Sequence, residues 1–83
     1  MTHDEARQLI RSTLRQVAPE ADLDDVGPDE TLQEGLDLDS IDFLNFVSGL
    51  SDATGLAIPE RDYPQMSTLE GCVRYLSALT PAG

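Results

Sequence analysis

Apolar residues in this chain recur every three to four positions in three separate stretches, and nowhere do they alternate with polar ones. That pattern selects helices over a sheet, because a helix face repeats about every 3.6 residues and a strand face about every two. In the first stretch Ala6, Leu9, Ile10, Leu14 and Val17 share a face, Thr2 and Glu5 stand at capping-box spacing, and Pro19 ends the run near Ala18. Asp4 and Glu5 come early and Arg11 and Arg15 late, the order that complements a helix dipole. A second helix is expected to begin at Asp39 or Ser40 and run to about Thr54, with Gly55 as its stop. Phe43, Phe46, Val47 and Leu50 form its stripe; Ile41 and Leu44 widen the apolar arc beyond one core face, so the helix is either deeply buried or meets a partner. After Leu56, Ile58 and Pro59, a short helix is expected over Glu60 to Gln65, limited to about a turn by Pro64. The last helix opens on a capping box of Ser67 and Glu70 and buries Leu69, Cys72, Val73, Leu76 and Leu79. Pro81 and Gly83 fall in a frayed tail.

These segments predict an all-α fold: a small antiparallel four-helix bundle of three longer helices and one short one. One domain spans 1–83, with an ordered core over about 2–79 and a tail at 80–83. Helices one and two are joined by a long connection, residues 19–39, rich in Asp, Glu, Gly and Pro. Connections that long are uncommon inside a compact domain. Leu23, Val26, Leu32, Leu36 and Leu38 are spaced as anchors, so an ordered loop is expected, with a short turn of helix near Pro28–Leu32. A chain of 83 residues buries roughly 60–65% of its unfolded surface, which leaves little room for a deep catalytic cleft.

Charge narrows the function. Sixteen acidic residues face five arginines and no lysine, and ten of the acids lie between Glu20 and Asp42 with no base among them. A net charge of −11 argues against nucleic acid and for partners with basic docking patches. No apolar run reaches the ~18–20 residues of a membrane span. Cys72 is the only cysteine, so no disulfide can form within the chain, and no secretory signal is evident, which predicts a reducing, cytoplasmic setting; a monomer is expected. His3, the only histidine, belongs to a solvated first turn, so no Ser-His-Asp arrangement forms and no catalysis is expected. No metal site is expected either. Asp22, Asp24 and Gly27 match the first, third and sixth positions of a calcium loop, but Val26 and Gln33 stand where its carboxylates are needed.

The run Gly35-Leu36-Asp37-Leu38-Asp39-Ser40-Ile41-Asp42 lies where the acidic loop meets a helix. Ser40 could be no more than an N-cap. Asp39 is the better cap, with Asp42 three residues on; Ser40 then becomes the first helical residue and its hydroxyl faces solvent. A phosphate on that hydroxyl would sit beside unpaired N–H groups at the positive end of the helix.

Leu38-Asp39-Ser40-Ile41, the approach Gly35–Asp37, the exit Gly55…Ile58-Pro59 and the start Ser67-Thr68-Leu69 together resemble the acyl carrier proteins over nearly the whole chain. The resemblance implies a phosphoprotein whose Ser40 bears covalent 4′-phosphopantetheine and carries acyl groups as thioesters. It implies that Asp39 assists the metal ion of a phosphopantetheinyl transferase. Asp37, Asp39, Ile41, Asp42 and Leu44 would meet that transferase, an acyl-loading ligase or transferase, and acyl-using enzymes. Phe46, Val47, Leu50, Ile58, Tyr63, Leu69, Cys72, Val73 and Leu76 are candidates to line an acyl pocket, or are ordinary core. Gly71 suggests either close packing or slack for such a guest.

The chain departs from the common fatty-acid carriers. Those resemble one another in carrying several glutamates along and at the end of this helix, where this chain has Asn45, Ser48, Ser51 and Ala53, with Asp52 nearly alone, and Phe43 adds an aromatic. Those departures put general fatty acid biosynthesis in doubt and point to a dedicated carrier, in lipid metabolism of a specialised kind or in a polyketide or secondary-metabolite pathway. Aminoacyl or peptidyl carriage, or an unmodified helical interaction module, are the alternatives. Asp37-Leu38-Asp39-Ser40 lacks the Gly-Gly-x-Ser usual in peptidyl carriers.

Overall fold

Thr2 opens the first helix, α1 (His3–Val17), through both halves of a capping box. The Glu5 amide donates to Thr2 Oγ1 at 3.1 Å and the Thr2 amide donates to Glu5 Oε1 at 3.0 Å. The Thr2 backbone N–H, and after it the Thr2 hydroxyl, favour the ionised carboxylate, so the pKa of Glu5 is lowered. Ala18 closes the helix, donating its N–H to the Leu14 carbonyl at 2.7 Å just before Pro19. The computed structural model describes residues 1–27 and 29–79; Pro28 and the expected tail, with Pro81 and Gly83, lie outside the described residues.

The described residues of the acidic connection are folded onto the core, as its apolar spacing predicts. Asp22 caps a short 3₁₀ turn, Leu23–Asp25, accepting from the Asp24 amide at 2.9 Å. Leu23, Leu32 and Leu38 are buried, while Val26 and Leu36 pack half-buried against the same core. The short helix expected near Pro28–Leu32 instead forms as α2 (Leu32–Gly35). Thr31 supplies the cap oxygen, to the Glu34 amide at 3.1 Å, and the Leu32 N–H is held by the Ser67 carbonyl at 2.7 Å. Those two bonds move the turn later in the chain.

The third helix, α3, covers Ser40–Thr54 and stops at Gly55 in the left-handed region, φ 72°. The expected single turn over Glu60 to Gln65 extends as a 3₁₀ helix over Glu60–Met66, containing Pro64. Pro64 costs it an N–H but fits the backbone angle, and Met66 is fully buried at its end.

The last helix, α4 (Leu69–Leu79), is not capped by Ser67. Thr68 caps it, accepting from the Gly71 amide at 3.0 Å, while the Ser67 hydroxyl donates to the Pro64 carbonyl at 3.0 Å. Glu70, the expected other half of that box, pairs with Arg74 at 2.6 Å. A Cβ on Gly71 would collide with the Gln65 carbonyl, so this glycine serves close packing and not slack.

Among the described residues there is no strand, only an isolated bridge between Thr31 and Thr68. α1 packs against α3 and α4, and the Glu60–Met66 segment packs against α4, giving an all-α bundle of 34 × 22 × 21 Å. The α1–α3 crossing is close at Gly49, where a Cβ would lie 2.6 Å from Thr13 Cγ2. Phe46, Ile10, Leu32, Leu50, Met66 and Leu76 are its largest fully buried side chains.

Candidate functional site

Leu38 and Phe43 are both buried, and they hold the chain down on either side of the start of α3. Between them Asp39 takes the N-cap position: its carboxylate accepts from the Asp42 amide at 2.7 Å and its carbonyl accepts from the Phe43 amide at 3.0 Å. Ser40 is therefore the first helical residue, exposed, with its hydroxyl not needed for capping. The amides of Ser40 and Ile41 belong to the first turn, where no preceding helical carbonyl is available. The Leu38 amide is tied back to the Gln33 carbonyl at 2.9 Å. Asp37 sits at φ 55°, a left-handed conformation that Asp tolerates better than most residues.

This arrangement fits a phosphodiester on Ser40. First-turn N–H groups and the positive end of a 15-residue helix face the place where the phosphate would lie. Asp37, Asp39 and Asp42 oppose it electrostatically. A covalent bond makes net affinity unnecessary, so that opposition does not exclude the group.

The expected interaction residues come together at this end of the molecule. Ile41 is 68% exposed and Leu44 45%, the two large hydrophobic residues left on the surface among the described residues. Asp37 and Asp39 are exposed beside them and Asp42 is half-buried. The wide apolar arc of α3 is thus resolved: Phe43, Phe46, Val47 and Leu50 face the core, and its first two turns also present apolar groups to solvent.

The candidate acyl-pocket residues lie elsewhere. Phe46, Val47, Leu50, Ile58, Cys72, Val73 and Leu76 are buried in one continuous core, with Tyr63 and Leu69 half-buried at its margin. Phe43 joins this region to the site, its ring 6.4 Å from Phe46 and edge-on to Tyr63 at 6.3 Å. The Cys72 thiol donates to the Met66 carbonyl at 3.0 Å, and burial pushes its pKa up to about 12. It stays a neutral thiol at physiological pH, packed as a small hydrophobe.

The acids of the calcium-like loop are engaged otherwise, Asp22 as a cap and Asp24 in a 3.5 Å pair with Arg11. His3 is exposed and lines a groove with Arg7, Val26, Leu69 and Arg74, apart from the residues around Ser40.

Two features escaped the sequence. Tyr75, buried on α4, donates its hydroxyl to Asp62 at 2.6 Å and ties the 3₁₀ segment to the bundle. An open groove also lies beside the site, between the end of α1 and residues 36–42. The small residues Ala18 and Ala21 around Pro19 were the available signal for the groove; for the Tyr75–Asp62 pair, 13 positions apart, there was none.

A family model described as the phosphopantetheine attachment site matches residues 7–76. The chain is 28% identical over 82 residues to an acyl carrier protein of Streptomyces coelicolor, covering 96% of this chain and 85% of that one. It is 37% identical over 57 residues to an acyl carrier protein of Lactobacillus johnsonii, covering 69% and 71%. With an acyl carrier protein of Rubrobacter xylanophilus it shares 31% over 55 residues, covering 66% and 68%.

Proposed function

The chain belongs to the phosphopantetheine-attachment family of carrier proteins, and from that premise we propose that Ser40 is the residue that bears its covalent 4′-phosphopantetheine. The observation that carries this assignment is the division of labour at the start of α3. Asp39 does the capping, which leaves the Ser40 hydroxyl exposed on the first helical residue. When attached, the group supplies a flexible arm ending in a thiol, on which acyl groups are held as thioesters. The protein's own residues present and position that arm. The neighbouring Asp39 carboxylate is engaged as the cap of α3 and the one histidine, His3, lies apart from the site, and an unassisted serine hydroxyl is a poor nucleophile. The modifying transferase must therefore bring the base and the metal, with Asp39 reaching the metal in that complex.

Ile41 and Leu44 form the apolar centre of the surface that partner enzymes read, and Asp37, Asp39 and Asp42 form its acidic rim. The lack of any Arg or Lys from Glu20 to Asp42 suits partners with basic docking patches: the transferase, a loading ligase or transferase, and the enzymes that use the acyl group. Long-range attraction would raise their association rates, and the exposed apolar pair would supply contact area. Asn45, Ser48, Ser51 and Ala53 leave the rest of α3 poor in carboxylates, which supports a dedicated carrier for a specialised lipid, polyketide or secondary-metabolite pathway.

The test is an intact mass after incubation with coenzyme A, magnesium and a broad-specificity phosphopantetheinyl transferase. The parent should gain one phosphopantetheine; Ser40→Ala should gain none and unfold at the same temperature as the parent. Loading of Ser40→Ala would move the site elsewhere. No loading of the parent by several transferases would leave a helical interaction module.

A further inference from the structure

Chain reversal between α1 and α3 leaves an open groove of about 500 Å³, within the ~300–1,000 Å³ of small-molecule clefts. Its floor is Val17, Ala18, Ala21 and Leu36, side chains packed against the core yet only half-buried. Asp37 and Asp42 stand on its rim, with Glu20 opposite, and no cation lines it. The lining comes within two residues of Ser40 on either side, at Leu38 and Asp42. Two residues of chain span at most ~7 Å, so any group on Ser40 long enough to enter another protein's active site reaches this groove.

We propose that the groove is a resting site for the phosphopantetheine arm, which folds back over the start of α3 when no partner holds it. This rests on the assignment of Ser40. The donors and the apolar portion of the arm are complementary to the groove. Pantetheine carries two amide N–H groups and a hydroxyl, all donors, and the rim offers carboxylates, which when ionised only accept. Its geminal dimethyl group meets the apolar floor. The phosphate would be repelled by the rim and remains outside, at the helix N-terminus. Ala18 and Ala21 matter by being small, since longer side chains there would fill the space. Asp37 is held on the rim in its left-handed conformation because half-buried Leu36 and buried Leu38 anchor it from both sides. The bundle interior, by contrast, is already filled by Phe46, Leu50, Met66 and Leu76.

The experiment uses protein labelled with ¹³C and ¹⁵N and loaded with an unlabelled arm, its mass checked first. Isotope-filtered NOEs should connect the arm's methyl groups to Val17, Ala18, Ala21 and Leu36. In a holo Ala21→Met variant those NOEs should vanish. Its arm thiol should react faster with a bulky disulfide reagent, about two-fold if the parent's arm is docked half of the time. Failure to gain mass would overturn the Ser40 assignment itself. Gain of mass with NOEs only to core residues such as Phe46 and Leu76, or with none, would overturn the groove alone. Equal thiol reactivity in parent and variant would do the same; should Ala21→Met not fold, the parent's NOEs decide.

Discussion

α3 and α4 begin alike and end in different roles. Each is opened by a side-chain oxygen three residues before the amide it caps, Asp39 for Asp42 at 2.7 Å and Thr68 for Gly71 at 3.0 Å. α4 then hides what it has: Cys72, Val73, Tyr75 and Leu76 are buried, the Tyr75 hydroxyl is bound to Asp62, and exposed Glu70 and Arg74 pair with each other. α3 also fills the core, yet it leaves Ile41 and Leu44 in water at the end where Ser40 stands. Unburied apolar surface forgoes stabilisation of about 25 cal/mol per Å². A small domain with a thin core that forgoes it in one place and not another has a use for that place. The comparison separates a helix that hides its apolar groups from one whose first two turns keep Ile41 and Leu44 in water, on the face proposed above for recognition.

The strongest way to break the comparison is to truncate each helix in turn. Leu76→Ala on α4 removes a fully buried side chain and should cost about 2–5 kcal/mol in urea unfolding, with the slope unchanged. A cost below ~1 kcal/mol would mean that α4 is not the structural helix. Next in size is an effect of pH on the same helix. Burial, aided by the hydrogen bond to Asp62, raises the Tyr75 pKa from 10.0 to about 12, and burial raises Cys72 from 9.0 to about 12. Both groups are neutral in the folded protein where the unfolded chain ionises. Their stabilisation is therefore fully present below pH 9 and is lost as pH rises towards 12. Melting temperatures across that range should fall steeply; in Tyr75→Phe the fall above pH 10 should be shallower, with about 1 kcal/mol lost at neutral pH. An unchanged alkaline profile in that variant would remove Tyr75 from the account. The smallest effect on stability is expected at the other helix. Ile41→Ala should stay within ~0.5 kcal/mol of the parent while weakening partner enzymes by more than ~1 kcal/mol. Loss of stability without loss of partner function would reverse the roles assigned to α3 and α4.

Much of the site was legible because it is local. The cap at Asp39, the freed Ser40 and the stop at Gly55 follow from residues within a few positions of one another. The ordered loop was legible from its leucines. Other local readings failed where a distant partner intervened. Ser67 looked like the cap of α4, but Thr68 takes that role beside its bridge to Thr31. The turn near Pro28 moved to Leu32–Gly35 because the Ser67 carbonyl holds Leu32. Pro64 did not confine its segment to one turn, since buried Met66 draws the 3₁₀ helix onwards.

The sequence by itself determined the helical class, the acidic field from Glu20 to Asp42 and the position of Ser40 at a helix start. Periodicity, charge and capping chemistry act over at most a few turns, so they can be read along the chain. Only the tertiary structure decided that Gly71 is there for contact with the Gln65 carbonyl, and that Tyr75 reaches Asp62. It alone decided that the apolar arc of α3 divides between core and solvent, and that the end of α1 and residues 36–42 enclose a groove. Each of these depends on which surfaces of separate helices meet, and no spacing along a single segment encodes that.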